Sequence, residues 1–233
     1  MNSEANENHP AMSSDGLTLY FFSNRPGGIG GTDIWTSTRD AIDSDWTAPA
    51  NFAAANTPAN EFINFVSEDG NTLLFNNGDP LHEDRIYQLT RVANQDEWGT
   101  PMLLPAPIND GLSGSRAGNL SADGLIMMFE SDRAGGAGNS DIWEAVRPSI
   151  DEPWSVKSHD SNINSAVDDV YPVISPDGLT LFFGSQRDGG YGGFDIWVSM
   201  RDTVEDEWGI ASNLGPTINT SGAENPGQFW EPG

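Results

Sequence analysis

The tetrapeptides Ser13-Ser14-Asp15-Gly16, Ser67-Glu68-Asp69-Gly70, Ser121-Ala122-Asp123-Gly124 and Ser175-Pro176-Asp177-Gly178 recur with their serines 54 residues apart. A repeat of that length, made of short apolar runs and glycine turns, belongs to architectures in which each unit leaves faces that only its neighbours can bury. The expectation is an all-β fold: a β-propeller of four blades, each with four antiparallel strands. Four such copies take up nearly all of the 233 residues. One domain over 1–233 is therefore expected, with repeats at about 1–54, 55–108, 109–162 and 163–216 and a tail at 217–233.

The fourth copy shows how one repeat is built. Val170–Ile174 reads as a first strand, Pro176-Asp177-Gly178 as a turn and Leu179–Gly184 as an apolar second strand. A glycine-rich loop, Asp188–Gly193, leads to a third strand at Asp195-Ile196-Trp197-Val198. The fourth strand is expected to start at Trp208 and run through Leu214 toward Asn219. The other copies keep this order, and no helical periodicity competes with it. Aromatic residues recur at Trp35, Tyr87, Trp143 and Trp197, and again at Trp46, Trp98, Trp154 and Trp208. Recurrence in every copy argues for packing between blades rather than for a sugar-stacking surface. Trp230, in the tail, stands outside the repeat.

Together, Ser-x-Asp-Gly, the apolar strand after it, Ser-x-Arg-x-Gly-Gly and Asp-Ile-Trp resemble the TolB-type, WD-like β-propeller repeat. The matching positions are Arg25, Gly27 and Gly28, then Arg133, Gly135 and Gly136, then Arg187, Gly189 and Gly190; copy two departs from the pattern. The resemblance covers almost the whole chain. It implies an extracytoplasmic propeller, periplasmic or extracellular, used mostly for protein contacts, with a minority of related propellers acting on glycans. Members usually have more than four blades, so a closed four-blade ring, the reading favoured here, competes with a segment of a larger propeller.

Charge narrows the partners. Thirty-five acidic residues face ten basic ones, for a formal charge of −25, and Lys157 is the only lysine. Nucleic acid and anionic membrane surfaces both require basic patches, so neither is an expected partner. Adaptation to saline surroundings accounts for the carboxylates, with cation binding as the functional alternative. Cysteine is absent, which excludes disulfides and thiolate metal sites. No run of ~18 apolar residues occurs and the N-terminus is acidic and polar, so neither a transmembrane helix nor a signal peptide is expected.

Arg25, Arg133 and Arg187 each precede an aspartate by eight residues, at Asp33, Asp141 and Asp195. Copy two carries the opposite order, Asp79 and Arg85. A salt bridge tolerates such an exchange whereas a catalytic or metal-binding aspartate does not, so the pattern predicts a structural ion-pair clamp. The loop Gly27–Asp33 resembles calcium-binding glycine repeats, but its spacing is one residue off and the loops lie a blade apart. Glycines that permit φ > 0 explain it.

In up-and-down blades the loops between strands two and three share one end with the links between blades. That end collects the departures from the repeat: the odd loop with His82, and the link carrying Asp110, Ser113 and Arg116. These four residues are the candidate ligand or partner surface. A second pattern, Asn-x4-acid, pairs Asn2 with Glu7, Asn56 with Glu61, Asn164 with Asp169 and Asn219 with Glu224, while copy three has Ser115 at the acidic place. On first strands, Glu7, Glu61 and Asp169 would ring a channel mouth, where Ca2+ takes oxygen ligands. Capping of backbone N–H groups is the favoured competing reading. Asn219–Pro226 repeats a strand start that Asn2–Pro10 already supplies, so the tail packs outside a closed ring, reaches a neighbouring chain or belongs to a longer propeller. A monomer is expected, with a tail-mediated oligomer as the alternative.

His9, His82 and His159 have neither metal-ligand spacing nor a nucleophile beside them, and Gly111–Ser115 is not a nucleophile elbow. With 35 acids, paired carboxylates arise by coincidence. No catalytic residue is identified. The function expected is that of a non-enzymatic binding or scaffolding propeller for a protein or glycan partner, stabilised by cations. The alternative is a small carbohydrate-active propeller, a lyase or hydrolase using His82, Arg116 and nearby carboxylates.

Overall fold

The computed structural model describes residues 3–78, 84–92, 97–159 and 161–228; His82, Asp79 and Trp230 lie outside them. Among the described residues sixteen strands form four separate four-stranded antiparallel sheets, and there is no helix. Blade one comprises β1 (Glu7–Met12), β2 (Thr18–Ser23), β3 (Asp33–Thr38) and β4 (Ala50–Asn51). Blade two comprises β5 (Asn60–Val66), β6 (Thr72–Gly78), β7 (Arg85–Thr90) and β8 (Met102–Leu103). Blade three follows with β9 (Ser115–Leu120), β10 (Ile126–Ser131), β11 (Asp141–Val146) and β12 (Ser155–Ser158). Blade four has β13 (Asp169–Ile174), β14 (Thr180–Ser185), β15 (Asp195–Met200) and β16 (Ser212–Asn213). The expected all-β propeller of four four-stranded blades is thus the architecture observed. Blades one and two form one compact unit, ending at Leu104, and blades three and four a second, beginning at Pro105.

Each Ser-x-Asp-Gly turn closes its hairpin with the same local hydrogen bonds. In blade four, Ser175 Oγ donates to Asp177 Oδ1, Leu179 N–H donates to the same oxygen at 3.0 Å, and Thr180 N–H donates to Ser175 Oγ at 2.9 Å. Gly178 supplies the left-handed residue at φ 76°. An arginine that ends the third strand then seals the turn. Nε of Arg39, Arg91, Arg147 and Arg201 donates to the carbonyl of Gly16, Gly70, Gly124 and Gly178 at 2.7, 3.0, 2.9 and 2.9 Å.

Those four guanidinium groups lie over Trp46, Trp98, Trp154 and Trp208 at 4.4, 4.6, 4.2 and 4.2 Å from the ring centroids. The fourth strands consequently begin after the tryptophans rather than at them, at Ala50, Met102, Ser155 and Ser212. Packing between blades is nonetheless part of the tryptophans' role. Trp98 meets Tyr20 and Phe52 of blade one edge-on, and the Trp208 indole N–H reaches blade three.

The Asn-x4-acid pattern joins blade two to blade one and blade four to blade three. Asn164 accepts from Ile142 N–H and donates to Ile142 C=O, both at 2.9 Å, so the side chain pairs with β11 as a strand would. Asn56 brackets Ile34 in the same way at 2.8 and 2.8 Å. Asn219 does the same to Ile196 at 2.8 and 3.0 Å, so the tail docks on blade four as the starts of blades two and four dock on blades one and three.

The ion-pair clamp is not the one expected. Asp33 accepts from the Ile29 and Gly30 N–H groups, Asp141 from those of Ala137 and Gly138, and Asp195 from Tyr191 N–H. These aspartates cap the loop from below. A Cβ on Gly136 would stand 1.9 Å from the Asp141 carboxylate, which is why the second glycine of the pair is needed. The arginines turn instead to the first strand: Arg25 pairs with Glu7 at 2.9 Å and Arg187 with Asp169 at 2.5 Å. In blade three, Arg133 donates to Ser115 Oγ and the Pro107 carbonyl. Antiparallel pairing of Glu7 with Ser23 and of Asp169 with Ser185 brings acid and arginine side by side, although 18 residues separate them in the chain.

Candidate functional site

Comparison of the four copies separates packing positions from the rest. On second strands the residue before the conserved Ser/Asn is always Phe22, Asn76, Glu130 or Gly184, four different chemistries, whereas the one before that is Phe21, Phe75, Phe129 or Phe183. Opposite it, the first strands differ equally: Asn8 and His9, Phe62 and Ile63, Arg116 and Ala117, Val170 and Tyr171. Here every first strand is irregular. The pairing register shifts in all four blades, and His9, Ala117 and Tyr171 adopt φ of 48°, 52° and 51°. Such bulges re-aim side chains and recur beside functional sites.

In the first unit this place is aromatic. His9 stacks on Phe22 at 5.2 Å and Phe62 meets Phe22 edge-on at 5.0 Å; burial pushes the His9 imidazole below its ordinary pKa. Beside them, Asn64 donates to Asn76.

In the second unit it is charged. Glu130, almost fully buried, accepts from the bulged Tyr171 N–H at 2.9 Å and meets Arg116 Nε at 3.3 Å. Arg116 Nη2 lies 3.9 Å from Asp132, whose other oxygen accepts from Gly114 N–H at 2.9 Å. Arg116 and Asp132 are 37% and 41% exposed, so this polar group reaches solvent. Burial and the Glu130 charge raise the Tyr171 phenol above its usual value, with Arg116 opposing, so it stays protonated.

The other expected residues fall as follows. Asp110 and Ser113 share the link that leads to Arg116, and Asp110 accepts from Leu112 and Ser113 N–H at 2.8 Å each. Burial opposes, but those N–H groups and the Arg133 charge prevail and hold the Asp110 carboxyl below its usual range. The link thus joins the patch through Gly114. His82 lies outside the described residues. Glu7 accepts from Ser3, Glu61 from Thr57 N–H at 3.0 Å, and Asp169 from Ser165 N–H at 2.6 Å. Thr220 and Glu224 repeat that contact in the tail at 2.9 Å. Burial raises the Glu61 carboxyl, Thr57 opposes and the Asp33 charge adds to the rise. Among the described residues no group of three or more histidines and carboxylates is placed to hold a metal ion.

Glu130, Asp132 and Tyr171 were not singled out from the sequence, although the chemistry of the Phe22, Asn76, Glu130, Gly184 series marks the place. A second missed cluster is buried apart from Lys157, which is half-exposed. Glu144 on β11 accepts from Trp208 Nε1 at 3.0 Å and pairs with Arg201 at 3.3 Å, with His159 Nε2 at 3.4 Å and Lys157 at 3.8 Å. Burial would raise this carboxyl, but His159, Trp208 and Arg201 outweigh it and hold it at about 2. In the first unit the Tyr20 hydroxyl does this work, meeting Trp98 and Arg91.

No protein-family model and no curated protein sequence matches the chain. Among solved structures it is similar to TolB from Acinetobacter baumannii, with a TM-score of 0.60 and 18% identity over 93% of this chain and 45% of that one. It is also similar to a putative TolB from Agrobacterium tumefaciens, at 0.51 and 17% over 96% of this chain and 87% of that one. A third is the alpha-L-arabinanase of Penicillium chrysogenum complexed with arabinobiose, at 0.56 and 14% over 92% and 68%. The chain spans less than half the length of the first of these. At such identities the likeness establishes the β-propeller fold alone.

Proposed function

We propose that this chain is a non-enzymatic binding or scaffolding propeller of the TolB-like, WD-like kind, working outside the cytoplasm in the periplasm or extracellular space. It recognises a protein or glycan partner at the loop-and-link end of its blades, with Asp110, Ser113 and Arg116 in the contact surface. The observation that carries this reading is how the first-strand carboxylates are used. Glu7, Glu61 and Asp169, and Glu224 in the tail, all accept from the Ser or Thr four residues before them, a contact repeated in blades one, two and four and hence structural. The chemistry that differs between blades is a mixed polar patch of Arg116, Glu130, Asp132 and Tyr171.

Likeness to both TolB proteins and an arabinanase leaves catalysis as the rival, and turnover decides between them. Incubation with a panel of plant and microbial polysaccharides is expected to produce no new reducing ends and no unsaturated products. Turnover that disappears in Glu130→Gln or Asp132→Asn would establish a carbohydrate-active enzyme instead.

A further inference from the structure

We propose that the patch of Arg116, Asp132 and Tyr171 binds the vicinal hydroxyls of an uncharged sugar unit in a glycan; this rests on the binding-module reading and names its ligand. The position stands out because the fold does not dictate it: equivalent residues elsewhere are Asn8, Phe62 and Val170 in place of Arg116, and Asn24, Gly78 and Gln186 in place of Asp132.

Charge balance then limits what can enter. Two carboxylates, Glu130 and Asp132, flank one guanidinium, so the patch is locally negative on a chain that is already at −25. Uronates, sialates and phosphates are repelled. A simple cation would be served by carboxylates alone, and the arginine between them opposes it. What remains is a polyol. Each sugar hydroxyl both donates and accepts, and a guanidinium fork beside a carboxylate offers donors and an acceptor together.

Tyr171 completes the site. Its ring gives an apolar face and its protonated hydroxyl a further donor, within electrostatic reach of Arg116 and Glu130. The backbone beneath is pre-set: φ is 51° and the N–H is held by buried Glu130, so binding need not order it.

Titration calorimetry and melting-temperature shifts test this with neutral arabino-, gluco-, galacto- and manno-oligosaccharides, against oligogalacturonate as the acidic comparator and tetralysine as the cationic one. Binding of at least one neutral series and none of the uronate is expected. Asp132→Ala and Tyr171→Gly should each weaken that binding by ~10-fold or more, the equivalent of losing one or two hydrogen bonds. Tyr171→Gly should keep the fold, since glycine accepts this φ and retains the N–H contact, with any fall in melting temperature measuring the lost ring packing.

Absence of neutral-sugar binding, or affinity unchanged in both variants, overturns the inference. Tetralysine binding in place of sugar also overturns it, while leaving the binding-module reading in place. Sugar bound at this patch and then cleaved upholds the inference and removes the non-enzymatic reading.

Discussion

Replacing Glu144 by glutamine probes the buried tie between blades three and four. The carboxylate is 1% exposed and held at about 2 instead of 4.5, which at ~1.4 kcal/mol per tenfold change corresponds to roughly 3 kcal/mol of stabilisation. Glutamine also leaves the Arg201 guanidinium, wholly buried, without its counter-charge, so a loss of about 3 to 5 kcal/mol is expected at pH 7. The sign of the pH dependence follows from a depressed folded-state value. The contribution is complete above about 4.5 and is lost as pH falls toward about 2. Wild type and Glu144→Gln should therefore differ most at neutral pH and converge near pH 2. Urea unfolding at pH 7 and pH 2.5, with hydrogen exchange read on β11 and β15, measures both. The double variant Glu144→Met with Arg201→Met should recover part of the loss, because an apolar pair leaves no buried charge but strips the Trp208 indole N–H and the Gly178 carbonyl of their partners. A loss under ~1 kcal/mol at pH 7, or one equally large at pH 2.5, would refute this account.

Three further expectations concern the repeat itself. A double-mutant cycle on Arg187 and Asp169 should give a coupling of about 2 kcal/mol, whereas Arg187 and Asp195 should couple by less than ~0.5; the reverse order would restore the eight-residue clamp. Gly136→Ala should cost about 2 to 3 kcal/mol by forcing its Cβ against Asp141, while Gly111→Ala, with nothing near its Cβ, should cost only ~1 kcal/mol for its φ of 83°; chemical denaturation compares them. Calcium should raise the melting temperature no more than sodium at equal ionic strength, by screening the −25 charge; a calcium-specific rise abolished in Glu61→Gln would instead reveal a metal site.

Much of the architecture was readable because its contacts are short in sequence. The Ser-x-Asp-Gly turn is closed by bonds between residues two and five apart, and a pattern at that range survives in the primary structure as spacing. The arginine-tryptophan stack was missed although it leaves the same kind of trace, since Arg39, Arg91, Arg147 and Arg201 each precede their tryptophan by seven residues. Proximity misled for Arg25 and Arg187. An aspartate eight residues ahead looks nearer than an acid 18 residues behind, yet antiparallel pairing reverses that order.

The sequence by itself determined the repeat length, the strand order and the turn chemistry. Each follows from local backbone preferences and short-range spacing. Only the tertiary structure decided that Glu130 meets Tyr171 across 41 residues and that Glu144 gathers Arg201 and Trp208 across 57 and 64. Contacts between sheets depend on register and on where a bulge turns a side chain, and a shift of one residue sends that side chain to the opposite face. The patch around Arg116 therefore existed in the sequence only as departures from a pattern, which the third and fourth blades set side by side.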